Sequence, residues 1–178
     1  MSKTVIIGGV AGGATAAARL RRRDESMEIV MLEKGEYISF ANCGLPYYIG
    51  DVIHSRESLL LQTPEGMKKK FNIDVRICQE AADVRPEENI VTVRNLKTGE
   101  TYEESYDNLI IATGSSPLKP GIPGIDGSRI LPSGILRIPD RIKDFMEKEK
   151  PESAAVIGGG FIDLEMAENL IVQVFPYL

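Results

Sequence analysis

"KTVIIGGVAGGATAAARLRRR", Lys3 to Arg23, decides the fold. A short β-rich apolar run ends in glycines at 8, 9, 12 and 13. The alanine-rich stretch behind them reads as a helix with a small-residue face and a basic end, where cations suit the helix dipole. The next apolar run, "EIVMLEK", closes a strand–turn–helix–strand unit of βαβ length. Two strands joined by such a crossover are parallel.

Working outward, "RESLLLQTPEGMKKKFNID" reads as loop and helix, and "DVRIC", "NIVTVRN" and "ETYEESY" alternate as strands. "NLKTGE" is the hairpin turn between the last two. "YDNLIIATGSSP" is another buried strand running into a Gly-Ser turn. Residues 115–134 are crowded with Pro and Gly and read as a connection. "PDRIKDFMEKEK" is a helix with Pro139 near its start, and "SAAVIGGGFIDLEMAENL" repeats the opening pattern of strand, glycines and helix. The fold class is therefore α/β: a Rossmann-like domain, with a parallel sheet and a β-meander, over 1–148, and the start of a second such unit over 149–178.

Of the 178 residues, 43% are hydrophobic and 26% charged, which suits a globular chain with a real core. A net charge of −5 supplies no sequence-wide basic field for nucleic acid. The longest weakly polar run, Val5–Ala18, is short and rich in Gly and Ala and reads as neither a membrane span nor a signal peptide, since Met-Ser-Lys leads straight into a strand. Two cysteines, Cys43 and Cys78, form neither a disulfide framework nor a metal spacing, so no metal site is expected. The compartment reads as cytoplasmic and reducing.

A dinucleotide fold needs a tight turn after strand one, close backbone approach to a pyrophosphate, and a helix start aimed at it. Gly8, Gly9, Val10, Ala11, Gly12 and Gly13 supply that loop, although strict G-x-G-x-x-G spacing puts Val10 at the middle glycine. Glu33, twenty residues past Gly13 at the end of strand two, is placed to accept ribose hydroxyls, with Lys34 beside it. In two-dinucleotide-domain flavoproteins an Ala-Thr-Gly turn follows a later strand. Ala112, Thr113 and Gly114 form such a turn and point to FAD rather than NAD at the first loop.

"ISFANCGLPYYIG", Ile38–Gly50, holds a thiol that is either a packing group or a redox nucleophile. If Asn42 caps a helix whose first residue is Cys43, unpaired N–H groups and the dipole both favour thiolate. Pro46 suits the first turn and Gly50 the stop. A C-x4-C pair would put its second cysteine at 48, where Tyr48 stands, so Cys43 must pair with its own oxidised sulfur or an external thiol. Cys78, on an apparent strand, reads as structural. His54, the only histidine, has no acidic partner in view and reads as a surface residue.

"VIIGGVAGGATAAARLRR", "EKGEYISFANCGLPYYIG", "LQTPEGMKKKFNIDVR" and "ESYDNLIIATGSSP" closely resemble the single-cysteine branch of the pyridine nucleotide–disulfide oxidoreductases. Coenzyme A disulfide reductases and NADH-dependent persulfide reductases look nearest, with NADH oxidases and peroxidases more distant. The resemblance implies FAD in the first domain, NAD(P)H in the second, and electrons passing through flavin to Cys43. The substrate it implies is coenzyme A disulfide or another low-molecular-weight thiol or persulfide. It also places Ser39 and Asn42 against coenzyme A or the reactive sulfur, and Thr15, Arg19 and Arg22 beside the same cleft. Lys70, with Lys68 and Lys69, is a candidate for phosphate. By the same resemblance Gly158 and Gly160 hold NAD(P)H.

Two departures stand out. Asp163 replaces the third glycine of the second loop and puts a carboxylate where two phosphates would sit, which is repulsive. The last eight residues, "IVQVFPYL", do not continue the pattern, and the family's return to the flavin domain and its dimer-forming C-terminal domain do not follow. The alternatives to a reductase are therefore a truncated FAD-binding module without reductase activity, or an NADH oxidase or peroxidase. The tail leads to the expectation of a truncation by a shifted reading frame. The encoding DNA, read in another frame past codon 170, should continue the nicotinamide domain; finding no such continuation in any frame refutes it.

Overall fold

The computed structural model describes residues 2–118, 120–131 and 137–174. Positions 119 and 132–134 of the connection and 175–178 of the divergent tail lie outside the described residues. In chain order the first elements are β1 (Lys3–Ile7), α1 (Gly12–Arg23), β2 (Glu28–Glu33), α2 (Leu45–Ile49), α3 (Pro64–Phe71) and β3 (Asp74–Ile77). Then come β4 (Gln79–Arg85), β5 (Ile90–Asn95), β6 (Thr101–Ser105), β7 (Asn108–Ile111), α4 (Arg137–Glu149) and α5 (Phe161–Val174). The chain forms two compact units: residues 1–40 with 60–114, and 41–59 with 115–178.

The first unit is α/β in three layers. Four parallel strands run in the order β3-β2-β1-β7, and β4-β5-β6 form an antiparallel meander. Successive side chains of a strand point to opposite faces. Ile6, Ile29 and Met31 accordingly pack with Ala14, Ala17 and Met67 of the helices. Val5, Ile7, Val30 and Leu32 pack with Val91 and Val93 of the meander. Strands buried on both faces read as unbroken apolar runs, as "VII" and "IVML" do. Each large side chain buried this way stabilises by roughly 1.5–3 kcal/mol. β4 is a strand the sequence pattern did not reveal: its run is largely polar, and its pairing with β5 shifts at Ala81/Asp83.

Charge fixes the ends of these layers. The main-chain N–H of Lys3 donates to Asp107 Oδ2 at 2.6 Å. The Lys3 ammonium and the Arg76 guanidinium both reach the buried Glu104 carboxylate, tying β1 and β3 to β6. Arg21 is the larger surprise within the basic helix end. It is 9% exposed, and its guanidinium donates to the carbonyls of Phe71 (2.8 Å), Asp24 (3.2 Å), Glu25 (2.6 Å), Met27 (2.7 Å) and Asn72 (3.0 Å). One side chain thus ties the end of α1, the turn into β2 and the end of α3.

In the second unit Ile49 of α2, Ile142 of α4 and Met166 of α5 form a small core. Gly50 stops α2, as the sequence predicts. A Cβ there would stand 2.3 Å from Asn169 Oδ1, so α5 crosses at a glycine. The strand expected before the second glycine loop does not form, and residues 154–159 carry no regular structure. A strand needs a ladder partner for its N–H and C=O groups, and among the described residues none pairs with this segment.

Removing the Arg21 guanidinium leaves five carbonyls short of a donor, whereas Arg22 is exposed. Arg21→Met should cost about 2–4 kcal/mol and Arg22→Met under about 0.5 kcal/mol, read from urea unfolding midpoints. Equal midpoints for the two variants would remove Arg21 from its structural role.

Candidate functional site

Gly8 follows β1 with φ +99°. A Cβ there would stand 2.1 Å from the Ala112 carbonyl oxygen, and one at Gly13 would stand 1.7 Å from the Gly8 carbonyl oxygen. The start of α1 is therefore pressed against the end of β1 at a distance only glycine permits. Gly9 is closed in by Ile38 and Met31, at 2.8 and 3.0 Å from its would-be Cβ, while a Cβ at Gly12 would meet only Ala112 Cβ at 3.6 Å. The structure thus brings Gly8–Gly13 and the Ala112–Thr113–Gly114 turn together at the carboxyl ends of β1 and β7. Val10 is half-buried, and Ala11 is the exposed N-cap residue of α1.

No side chain caps α1, and its first turn holds no acidic residue. The leading N–H groups of a helix have no intrahelical acceptor and form the positive end of its dipole, so this end can accept an anion. At the end of β2, Glu33 Oε2 accepts from the Gly9 N–H at 2.7 Å and Oε1 from the Gly35 N–H at 2.7 Å. Each carboxylate oxygen keeps a further lone pair for a hydroxyl. The Lys34 ammonium is 2.7 Å from Glu80.

Thr15, Arg19 and Arg22 are exposed. Their spacing puts them on one stripe of α1. Lys70 is exposed on α3 with its ammonium 5.3 Å from the Phe71 ring centre. Ser39 belongs to the same unit: it has φ +46° and donates its N–H to the Gly9 carbonyl at 2.9 Å. Sequence reasoning missed the burial of Arg21; the signal that could have found it is its helical phase with the inward-facing Ala14 and Ala17.

In the second unit Cys43 is exposed, in a 3-10 turn over Asn42–Gly44. This corrects the cap expected from the sequence. The residue before the turn is Ala41, Asn42 makes no capping bond, and α2 starts only at Leu45, after Gly44. Backbone closes the turn instead, the Gly44 N–H donating to the Ala41 carbonyl at 2.9 Å. Beside Cys43 lies a mainly apolar hollow of about 200 Å³ lined by Pro46, Ile49, Ile142, Ile162 and Met166, with Glu165 at its polar side.

Tyr48, where a second thiol would stand, donates its hydroxyl to Asp140 at 3.2 Å and lies under the Lys143 ammonium at 4.6 Å. Burial, and then the Asp140 carboxylate, push its phenol above the ordinary value, so it stays neutral. Asp140 also takes Arg56 at 2.9 Å, and Lys143 takes Asp51 at 2.8 Å. His54, expected to lack an acidic neighbour, has Asp51 at 3.7 Å while remaining exposed. Cys78 is buried but not on a strand: it turns the corner between β3 and β4 with φ +56°.

The second glycine loop differs from the first. Gly158 has φ +144°, and a Cβ on it would stand 2.3 Å from Asp163 Oδ2. The same oxygen accepts the Gly160 N–H at 2.9 Å. Gly158 and Gly160 therefore face a carboxylate of their own chain.

A family model described as "Pyridine nucleotide-disulphide oxidoreductase" matches residues 2–172. The chain belongs to that family of oxidoreductases. It is 39% identical over 173 residues to the coenzyme A disulfide reductase of Staphylococcus haemolyticus, covering 97% of this chain and 39% of the relative. It is 42% identical over 172 residues to that of Staphylococcus epidermidis, covering 96% and 38%. Among solved structures, reduced CoADR-RHD of Bacillus anthracis is 52% identical with TM-score 0.92, covering 97% of this chain and 31% of that one. The NAD-dependent persulfide reductase of A. fulgidus is 36% identical with TM-score 0.88, covering 97% and 32%. This oxidoreductase chain spans less than two fifths of the length of the curated relatives it matches. Among its described residues no helix is long and apolar enough to cross a membrane.

The glycine loop yields a paired test. Gly13→Ala should destabilise by roughly 1–3 kcal/mol through overpacking. Gly12→Ala, with room for its methyl, should be neutral or gain up to about 1 kcal/mol. Thermal melts of the two variants check this, and equal melting would refute the close-approach reading.

Proposed function

We propose that this chain is the FAD-binding and thiol-bearing part of a reductase that acts on coenzyme A disulfide or a per- or polysulfide through Cys43. The observation that carries the reading is an exposed thiol with no second cysteine in its loop, in a chain whose relatives are named coenzyme A disulfide and persulfide reductases.

The first unit's residues fit FAD. Gly8, Gly9 and Gly13 leave a Cβ-free backbone cradle, α1 begins uncapped, and Glu33 stands at the end of β2. In this assignment Gly8–Gly13 and Ala112–Gly114 bind the pyrophosphate region, and Glu33 and Lys34 border the ribose. Thr15, Arg19, Arg22 and Lys70 take coenzyme A phosphates, since guanidinium and ammonium groups both bind phosphate. Ser39 and Asn42 border the substrate sulfur. The flavin part runs over 1–148, and residue 149 opens the nicotinamide part.

The thiol chemistry balances within one exchange. The Cys43 thiolate attacks one sulfur of the disulfide, forming a Cys43 mixed disulfide and expelling the other half as thiolate, which takes a proton from solvent. Flavin held at the first loop and already reduced would supply the two electrons that split the mixed disulfide, releasing the second half as thiol, restoring the Cys43 thiolate and leaving the flavin oxidised. Tyr48, neutral and held by Asp140, offers no competing thiol, so the oxidised form of Cys43 waits for an external partner. By resemblance the homodimer belongs to the full-length family and its C-terminal domain; a cytoplasmic location completes the proposal for this chain.

Purified chain should retain bound flavin, seen as visible absorbance. After anaerobic reduction by dithionite and removal of excess reductant, coenzyme A disulfide should reoxidise the flavin and release free thiol. Cys43→Ser should abolish thiol release, at least about a hundredfold, with flavin content unchanged. Release surviving in Cys43→Ser would remove the thiol from its role, and colourless folded protein would remove the flavin.

A further inference from the structure

We infer that Asp163 is a specificity residue that closes the second glycine loop to nicotinamide dinucleotides: its carboxylate takes the place a pyrophosphate would occupy at the start of α5. The inference rests on the second loop being this chain's counterpart of a dinucleotide loop, and otherwise on geometry alone.

The two loops begin alike in sequence and end differently in space. Both present a glycine with positive φ, Gly8 and Gly158, followed by a helix of more than three turns. In the first, no side chain caps the helix start and no acid lies in the first turn. In the second, Asp163 lies in the first turn. Gly160 is the residue before the helix, and its carbonyl accepts the Leu164 N–H at 3.1 Å. Asp163 reaches back to the Gly160 N–H at 2.9 Å, the return half of a capping box. The carboxylate therefore satisfies one of the donors that a phosphate oxygen would use and adds a negative charge to the positive end of the dipole.

Space is closed as well as charge. The carboxylate carbon of Asp163 is 2.5 Å from where a Cβ of Gly158 would stand, and its second oxygen is at 2.8 Å. The space beside Gly158 is filled by this side chain. A dinucleotide entering here must displace a formed hydrogen bond, expel the carboxylate, and then bind two phosphates beside it at like charge. At the first loop the Glu33 carboxylate bonds the Gly9 N–H, three residues ahead of α1, and leaves the helix start uncapped, so the chain keeps that helix start open to a dinucleotide and closes the second. Electrons for Cys43 then have to come from a donor other than NAD(P)H bound at this loop.

The test is a titration of the purified chain with NADH and with ADP-ribose, which keeps the pyrophosphate and lacks nicotinamide, for wild type, Asp163→Gly and Asp163→Asn. Circular dichroism first establishes that each variant is folded. Wild type should show no saturable binding to about 1 mM, and Asp163→Gly should bind both probes at least about tenfold tighter. Asp163→Asn, which removes charge but keeps an acceptor, should fall between them. The Gly160 amide resonance should move in both variants and, on adding ADP-ribose, move again in Asp163→Gly only. Wild type binding as tightly as Asp163→Gly, or Asp163→Gly gaining no affinity, overturns the inference. Flavin absorbance is read separately in the same samples, so loss of the flavin assignment and loss of this one are distinguishable.

Discussion

The start of α1 and the end of β1 occupy space that leaves no room for a methyl group. Gly13 meets the carbonyl of Gly8, and Gly8 meets the carbonyl of Ala112, so three backbone segments converge with no side chain between them. Everything distinctive of the first unit hangs on that convergence. It turns the helix back onto the sheet, aims an uncapped helix end across the strand termini, and brings the Gly9 N–H within 2.7 Å of Glu33. The apolar layers on either face of the sheet stabilise this arrangement, and the backbone contact determines its shape.

The second glycine loop shows how little a motif settles by itself. Its glycines precede a helix as the first loop's do, but no strand stands before them and the helix start carries an acid. A glycine there secures conformational freedom, and a neighbouring carboxylate then fills the space. The thiol turn makes a related point. Asn42 has the chemistry of a cap, yet the turn is a single 3-10 step closed by backbone, and the helix behind it has its own start at Leu45.

Much of the first unit was legible because its signals are local and redundant. β1, α1 and β2 announce themselves through apolar runs, glycines and length, β3, β5 and β6 through alternation, and β7 through its apolar run into a Gly-Ser turn. β4 was hidden because its run is polar and bulged. Arg21 was hidden among five consecutive positions that hold four arginines and a leucine, although its helical phase with Ala14 and Ala17 marks it as inward. The contact of His54 with Asp51 and the position of Cys78 at a corner depend on turns, whose geometry composition describes poorly. The cradle residues of the first loop could be named from spacing; the occupation of the second by Asp163 could be suspected from charge but needed coordinates to be seen as a formed bond.

β1 is greasy on both sides, with Val5 and Ile7 toward the meander and Ile6 toward the helices. A strand of that kind has no preferred parity, since sliding it by one residue exchanges one oily face for another. Its position has to be indexed from its two tips: Lys3 on Asp107 and Glu104 at one, and the Gly8 N–H on Leu32 at the other. The strand is thus like a ruler that is blank along its length and marked only at its ends. Swaps among aliphatic side chains in the middle leave its alignment intact, while loss of either end mark erases it.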